Sequence, residues 1–350
     1  MATLEIFDYV RWFGIILAFL PTGYALTVDA DQDNIQQLAA IVPSGAAGQR
    51  LDQVLTVLFP DFSRTRLQQW VRAGRVTVDG HMPRARDKVW GGERIAVTAV
   101  LEVEVPWQGE AMPLDIIYED AAIIILNKPP GLIVHPGAGN REGTLVNALL
   151  HYAPELASVP RAGVVHRLDK DTSGLLVVAR TQAAHKRLVM QLQARTVKRE
   201  YFAIVVGVIT AGGTVDEPIG RHPTQRTRMA VVTGGREAVT HYRVVERFRH
   251  HTYLKVNLET GRTHQIRVHM ALLHHPLVGD PTYGGRLRLP AGSTSALCKA
   301  LRQFKRQALH AGVLGLIHPE SGEALQWEAP LPDDMQQLLE ALRADAGSES

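Results

Sequence analysis

Residues 163–179 read GVVHRLDKDTSGLLVVA, and this stretch decides how the main part of the chain is interpreted. Its two ends, GVVH and LLVVA, are apolar enough to be strands buried on both faces. The charged segment RLDKDTSG between them is therefore predicted to be a loop carried by a buried scaffold, where catalytic groups are concentrated. On spacing alone, a solvated surface turn is the favoured explanation of the same charges.

Strand and helix patterns continue on both sides of this stretch. Runs at 116–118 and 123–126 predict strands, 145–150 predicts a helix, and KREYFAIVVGV at 198–208 and YLKVNLE at 253–259 predict further strands. Thr263 is predicted to cap a helix, HQIRVHMALLHH, that carries Arg267 on an inward stripe with His264 and His274. A buried arginine there needs an acidic partner.

A smaller unit precedes this region. RLDQVLTVLF places four apolar residues on one face of a helix that Pro60 ends, and Ser63 is a natural N-cap for a second helix ended by Gly74. RVTVDG and Glu93–Val97 then predict strands. Arg64 and Arg66 lie in the first turn of the second helix, where cations are unfavourable unless a phosphate binds them. A solvated basic face remains an equal alternative.

The ends of the chain complete the domain plan. Residues 1–47 hold one basic residue against five acidic ones, and the apolar run Trp12–Leu20 is too short to span a membrane and poorly flanked for a signal peptide. We expect a weakly ordered extension at 1–47, a small α+β unit at 48–98, a linker at 99–112, a main domain at 113–342 and a tail at 343–350.

Composition and motifs exclude several kinds of chemistry. Cys298 is the only cysteine, which excludes an intrachain disulfide and a Cys-rich zinc site and suits the reducing cytoplasm. The chain has no GxSxG elbow, P-loop or dinucleotide fingerprint, and its histidine pairs lack the spacing of a helical zinc site. We therefore expect no metal site, while a pI near 9.0 favours a polyanionic partner.

Four motifs resemble one family. HRLDKDTSG at 166, NKPPGLIVHPG before it, KREY at 198 and TGRTHQIRVH at 260 are similar to the RluA/RluD family of RNA pseudouridine synthases, especially the RluD type that acts on large-subunit rRNA. The resemblance extends from residue 48 to about 332. It implies a mixed α/β, or α+β, catalytic domain with a mainly antiparallel sheet, and isomerisation of uridine without a cofactor.

The same resemblance assigns the site residues. Asp169 would be the catalytic carboxylate, Arg267 its ionic partner, Tyr201 the aromatic that stacks on the target base, and Arg167 a residue that holds the extruded nucleotide. Residues 48–98 resemble the S4 RNA-binding module, which implies that phosphates are contacted by Arg64, Arg66, Arg72 and Arg75.

The implied partner is 23S rRNA, or the pre-50S particle that contains it, with the helix 69 loop as the expected target of a monomeric enzyme. A paralogue acting on tRNA or on other rRNA sites would share every catalytic residue. A non-catalytic S4-type RNA-binding protein would need no paired Asp and Arg. A glycoside or nucleoside hydrolase would need a second carboxylate, for which HRLDKDTSG offers only Asp171.

Overall fold

The computed structural model describes residues 24–26, 35–60, 62, 64–100, 107–137, 140–225 and 227–347. The chain forms two units, residues 1–105 and 106–350. In the first unit, four antiparallel strands in the order β1-β2-β4-β3 pack against two helices. The elements are β1 (Tyr24–Leu26), β2 (Ile35–Ile41), α1 (Leu51–Leu58), α2 (Arg64–Arg72), β3 (Val76–Val78) and β4 (Arg94–Val100).

The first unit begins earlier than the sequence pattern indicated. Strand β2 pairs with β4 over its whole length, and Leu38, Ala40 and Val42 are buried in the core beneath α1 and α2. Residues 35–47 are thus part of this unit, whereas the sequence placed them in a weakly ordered extension. The sequence of this strand, IQQLAAI, contains two consecutive glutamines and two consecutive alanines, so its period-two pattern is weak.

The apolar faces predicted for the two helices are confirmed. Leu51, Val54, Leu55 and Leu58 of α1 are buried, as are Leu67, Trp70 and Val71 of α2, and Gly74 takes the left-handed φ of 69° at which α2 stops. The predicted N-cap Ser63 lies outside the described residues.

The second unit is built on a nine-stranded sheet in the order β5-β6-β7-β14-β8-β13-β12-β9, with β15 paired to β14. Its only parallel pairing among the described strands joins β7 to β14, so the predicted mixed, mainly antiparallel sheet is confirmed. The strands are β5 (Ile116–Glu119), β6 (Ile123–Lys128), β7 (Ser173–Ala179), β8 (Lys198–Val206), β9 (Gly213–Asp216), β12 (Val239–Arg247), β13 (His251–Leu258), β14 (Leu309–Ile317) and β15 (Ala324–Glu328). A separate hairpin joins β10 (Ile219–Arg221) to β11 (Met229–Val231).

Helices pack on this sheet and bury its apolar side chains. They are α3 (Leu145–Tyr152), α4 (Gln182–Gln193), α5 (Gln265–Leu272), α6 (Ser295–Gln303) and α7 (Asp333–Gly347). The segment GVVH, predicted as a strand, makes only an isolated bridge from Val164 to Val178 and follows a 3-10 turn at Pro160–Gly163.

The boundaries of the second unit also differ from the sequence prediction. Asn147 of α3 donates its side-chain amide to the Gln108 carbonyl and accepts from the Glu110 amide through its own carbonyl, so residues 107–112 pack on this unit rather than forming a linker. At the other end, α7 continues to Gly347, and Asp345 accepts a hydrogen bond from the Thr294 amide. Residues 343–347 are therefore helical, not a free tail.

Candidate active site

The loop at 166–172 is fixed at both ends by hydrogen bonds. His166 accepts from the Val177 amide at 3.1 Å, and the Asp169 carbonyl accepts from the Thr172 amide at 3.1 Å. The fully buried Lys128 donates to the carbonyls of Lys170, Pro129 and Leu132, so that it joins this loop to the NKPPG turn. Burial lowers the pKa of Lys128 to about 7, against the opposing charges of Asp171 and Asp169.

Asp169 lies against the arginine predicted to be its partner. Arg267 Nη1 donates to Asp169 Oδ2 at 3.0 Å, and the Asp169 side chain retains 15% exposure. The remaining nitrogens of Arg267 form a bidentate pair with Asp280, with Nε to Oδ2 at 2.7 Å and Nη2 to Oδ1 at 2.9 Å. Arg267 therefore bridges two carboxylates, one fully buried and one open to the cleft.

Asp280 holds the arginine in place. Its side chain has no exposed surface, and its Oδ1 also accepts from the amides of Thr282 and Tyr283. Burial alone would raise the pKa of Asp280, but the hydrogen bonds and charge of Arg267 lower it below its usual value. The Tyr283 ring lies 5.1 Å from the Arg267 guanidinium, so the arginine is fixed from a third side.

His264, rather than Thr263, occupies the N-cap position of α5. It takes a left-handed φ of 59°, caps no amide with its side chain, and pairs its Nδ1 with the Tyr283 hydroxyl at 2.9 Å. Its Nε2 lies 3.9 Å from Asp169 Oδ2. Burial lowers the pKa of His264, so this side chain acts as a neutral polar neighbour of the Asp169 carboxylate and not as a second cation beside it.

Asp169, Arg267, Tyr201 and Arg167 line one cleft of about 980 Å³. Tyr201 lies on β8 with 7% exposure, and burial raises the pKa of its hydroxyl, which stays protonated at neutral pH. Arg167 is exposed. The structure thus brings together the four residues that the sequence placed in the active site.

The cleft is rich in arginine and poor in carboxylates. Besides Arg167 and Arg267, it is lined by Arg161, Arg195, Arg199, Arg236 and Arg262. Its acidic lining consists of Asp169 and Glu259, and Glu259 is ion-paired with Arg195 and His241. Asp171 does not line the described cleft. The arrangement supplies one available carboxylate in positive surroundings, which suits a polyanionic substrate and not a two-carboxylate hydrolase.

The four arginines predicted to bind RNA in the first unit have different surroundings. Arg64 donates to the fully buried Asp52 at 2.7 Å, and Arg66 lies over the Trp70 ring at 5.8 Å. Arg72 is exposed and Arg75 is half-buried. Their contact with phosphates stays a prediction.

Two features of the site were missed in the sequence. Asp280 lies in the segment HPLVGDPTYGGR, from which no site residue was predicted. Lys128 lies in the motif NKPPGLIVHPG, but no role was predicted for its side chain. A charged residue between apolar or turn-forming neighbours is the signal that could have identified both.

The histidines considered as metal ligands have other partners. His269 pairs with Thr240 and the Glu217 carbonyl, and His275 with the Val206 carbonyl. Among the described residues, no three His, Cys, Asp or Glu side chains are grouped as metal ligands. Within that same part of the chain, no helix has the length and apolarity needed to cross a membrane.

Comparison with known proteins agrees with this architecture. Residues 122–272 match the RNA pseudouridylate synthase model, and residues 49–95 match the S4 domain model. Ribosomal large subunit pseudouridine synthase D of Escherichia coli K12 is 58% identical over 310 residues, which cover 88% of this chain and 95% of that protein. The protein of the same name from Pseudomonas aeruginosa is 57% identical over 309 residues, covering 88% and 97%.

A solved structure, human RNA Pseudouridylate Synthase Domain Containing 4, is similar with a TM-score of 0.52 and 27% identity, covering 65% of this chain and 93% of that one. Fold, site and relatives together define an RNA-modifying isomerase with an appended RNA-binding domain. The chain belongs to the RNA pseudouridylate synthase family.

Proposed function

We propose that this protein converts uridines to pseudouridine in the large-subunit rRNA, in the helix 69 loop, with Asp169 as the catalytic carboxylate. The observation that carries the proposal is the Asp169 carboxylate, held at 3.0 Å by a buried arginine beside Tyr201 in an arginine-lined cleft. The names of the relatives from E. coli and P. aeruginosa support the large ribosomal subunit as the source of the substrate.

The reaction requires little besides one carboxylate and an enclosed pocket. The bond from ribose C1′ to uracil N1 breaks, the base rotates, and C1′ bonds to C5, whose proton is lost while N1 gains one. Asp169 either attacks the sugar or removes a ribose proton to start this sequence. No electron acceptor and no phosphate transfer is needed, which agrees with a protein that works without a cofactor.

The neighbouring residues have distinct roles in this proposal. Arg267 holds the Asp169 carboxylate in position at the cleft, and Asp280 in turn fixes Arg267. Tyr201 stacks on the extruded base, and its protonated hydroxyl is available for proton transfer. Arg167 helps to hold the nucleotide that is extruded from its stack.

The S4 domain would anchor the RNA through phosphates without reading its sequence. Arg64, Arg66, Arg72 and Arg75 are the proposed contacts. A monomer acting in the cytoplasm on 23S rRNA, free or in the pre-50S particle, completes the proposal.

The test compares rRNA from cells with and without this protein, using carbodiimide-dependent stops of reverse transcription to detect pseudouridine. We expect the helix 69 stops to disappear without the protein and to return with the wild-type gene or with Asp171→Asn, but not with Asp169→Asn. The amide keeps the size of the side chain and offers neither nucleophile nor base. Loss of stops in tRNA alone would contradict the rRNA assignment, and activity of Asp169→Asn would contradict the catalytic one.

A further inference from the structure

Three arginines that line the cleft have no acidic partner in the part of the chain that the structure describes. Arg199 lies on β8, Arg236 precedes β12, and Arg262 lies in the turn between β13 and α5. None of the three forms an ion pair with a carboxylate of the described residues. We call Arg199, Arg236 and Arg262 the arginine cluster.

The nearby acids are already engaged elsewhere. Arg195 binds Glu237 at 2.6 Å and Glu259 at 3.2 Å, and His241 takes the other oxygen of Glu259 at 2.7 Å. Among the described residues, the Arg262 side chain donates only to the Glu237 backbone carbonyl. Burial and the charge of Arg236 lower the pKa of Arg262, which reports an excess of positive charge around it.

Arg199 is built into the wall of the cleft. It is 8% exposed, and its Nη2 donates to the carbonyls of Glu259 at 3.0 Å and Leu258 at 3.4 Å. Its Nε is shielded from solvent and has no hydrogen-bond partner. A buried guanidinium with an unsatisfied donor and no counter-charge is costly, so a structure retains it for a reason.

Gly261 makes room for this arrangement. A Cβ atom at Gly261 would lie 2.7 Å from Arg199 Nη1, which means that any side chain there would displace the guanidinium. The turn itself is fixed, since Thr260 accepts from the Val239 amide and donates to Gln265.

We propose that the arginine cluster binds one phosphodiester of the RNA strand next to the target nucleotide and thereby sets the register of the strand over Asp169. Guanidinium groups match phosphate oxygens in geometry and charge, and phosphate contacts fix position without selecting sequence. This inference rests on the proposed function, because it takes the strand in the cleft to be the substrate RNA.

The test measures the affinity of the full chain for a synthetic hairpin with the helix 69 sequence, as a function of salt. We expect the double variant Arg236→Gln/Arg262→Gln to flatten the slope of log K against log salt by about 0.7, the value for one neutralised phosphate, which corresponds to roughly fivefold weaker binding at 0.1 M salt. Arg302→Gln is the matched control, because Arg302 is an exposed arginine of α6 outside the cleft. Gly261→Ala should weaken binding without any change of charge.

A second arm locates the phosphate. Binding of the wild type and of the double variant Arg236→Gln/Arg262→Gln is measured with a series of hairpins, each of which carries one neutral methylphosphonate at a different linkage. We expect one linkage beside the target uridine to weaken the wild type about fivefold and to leave the double variant unaffected. The inference would be overturned if the cluster variant had the same salt slope as Arg302→Gln. It would also be overturned if every methylphosphonate linkage weakened binding equally in both proteins. Both arms read binding alone, so a failure of pseudouridine formation would count only against the proposed function.

Discussion

Replacing Arg267 with methionine should destabilise the second unit through the buried carboxylate of Asp280 more than through lost packing. Asp280 has no exposed side-chain surface and depends on Arg267 for two of its hydrogen bonds. Removing one member of such a pair costs about 3 to 5 kcal/mol. For a domain of this size, that corresponds to a fall in Tm of roughly 6 to 20 °C.

The pH dependence identifies the cause. In the wild type the folded-state pKa of Asp280 lies below its ordinary value, so the pair contributes stability above about pH 4 and loses it as the pH falls through the folded value. In Arg267→Met, burial without compensation raises this pKa, so the variant loses stability as the pH rises. The difference between the two proteins should therefore shrink by roughly 1 to 3 kcal/mol from pH 7.5 to pH 5.

Urea unfolding at both pH values measures this difference. Asp280→Asn in the Arg267→Met background is the control, because the remaining amide oxygen can still accept from the Thr282 and Tyr283 amides, which both donate to Oδ1. We expect this second change to restore stability. A loss that is the same at both pH values, or a double variant less stable than Arg267→Met, would refute the buried-charge argument.

Two further predictions concern buried charges that do not line the cleft. Asp52→Ala should destabilise the S4 domain by about 1.5 to 3 kcal/mol and weaken RNA binding, because Asp52 accepts hydrogen bonds from Arg50, Arg64 and Gln68. Asp52→Asn should lose less stability, and equal urea midpoints for the two variants would contradict this prediction. Lys128 has a folded-state pKa of about 7, below its unfolded value, so the stability of the wild type should increase as the pH rises from 7 to about 10. If the Tm of Lys128→Met changes with pH as steeply as the Tm of the wild type, Lys128 does not titrate in this range.

Much of the fold could be predicted because its patterns are local. LLVVA is uniformly apolar and forms β7, which is buried along its whole length, and YLKVNLE alternates and forms most of β13. The helix containing Arg267 was also found from its period. In contrast, β2 was missed because its sequence, IQQLAAI, places two glutamines and two alanines side by side and so lacks a clear alternation of polar and large apolar residues. Its position is fixed by pairing with β4, a partner far away in the sequence.

The site was predictable only where a motif carried it. The need of Arg267 for an acid follows from the cost of burying a charge, but sequence alone could not distinguish Asp169 from Asp280 as the stronger partner. The arginine cluster is assembled from positions 199, 236 and 262, which no local pattern connects. Such groupings depend on the sheet order, and a single sequence does not reveal that order.

The parallel pairing of β7 with β14 has a consequence for synthesis of the chain. Ser173, which follows the loop of Asp169, bonds to His310 across 137 residues of sequence. At ribosomal rates of about 5 to 20 residues per second, the newly made loop waits roughly 7 to 27 seconds for its neighbouring strand to be translated. The S4 domain has all its strands long before that time. RNA-binding capacity therefore arises first on the growing chain, and catalytic competence arises only when translation is almost finished.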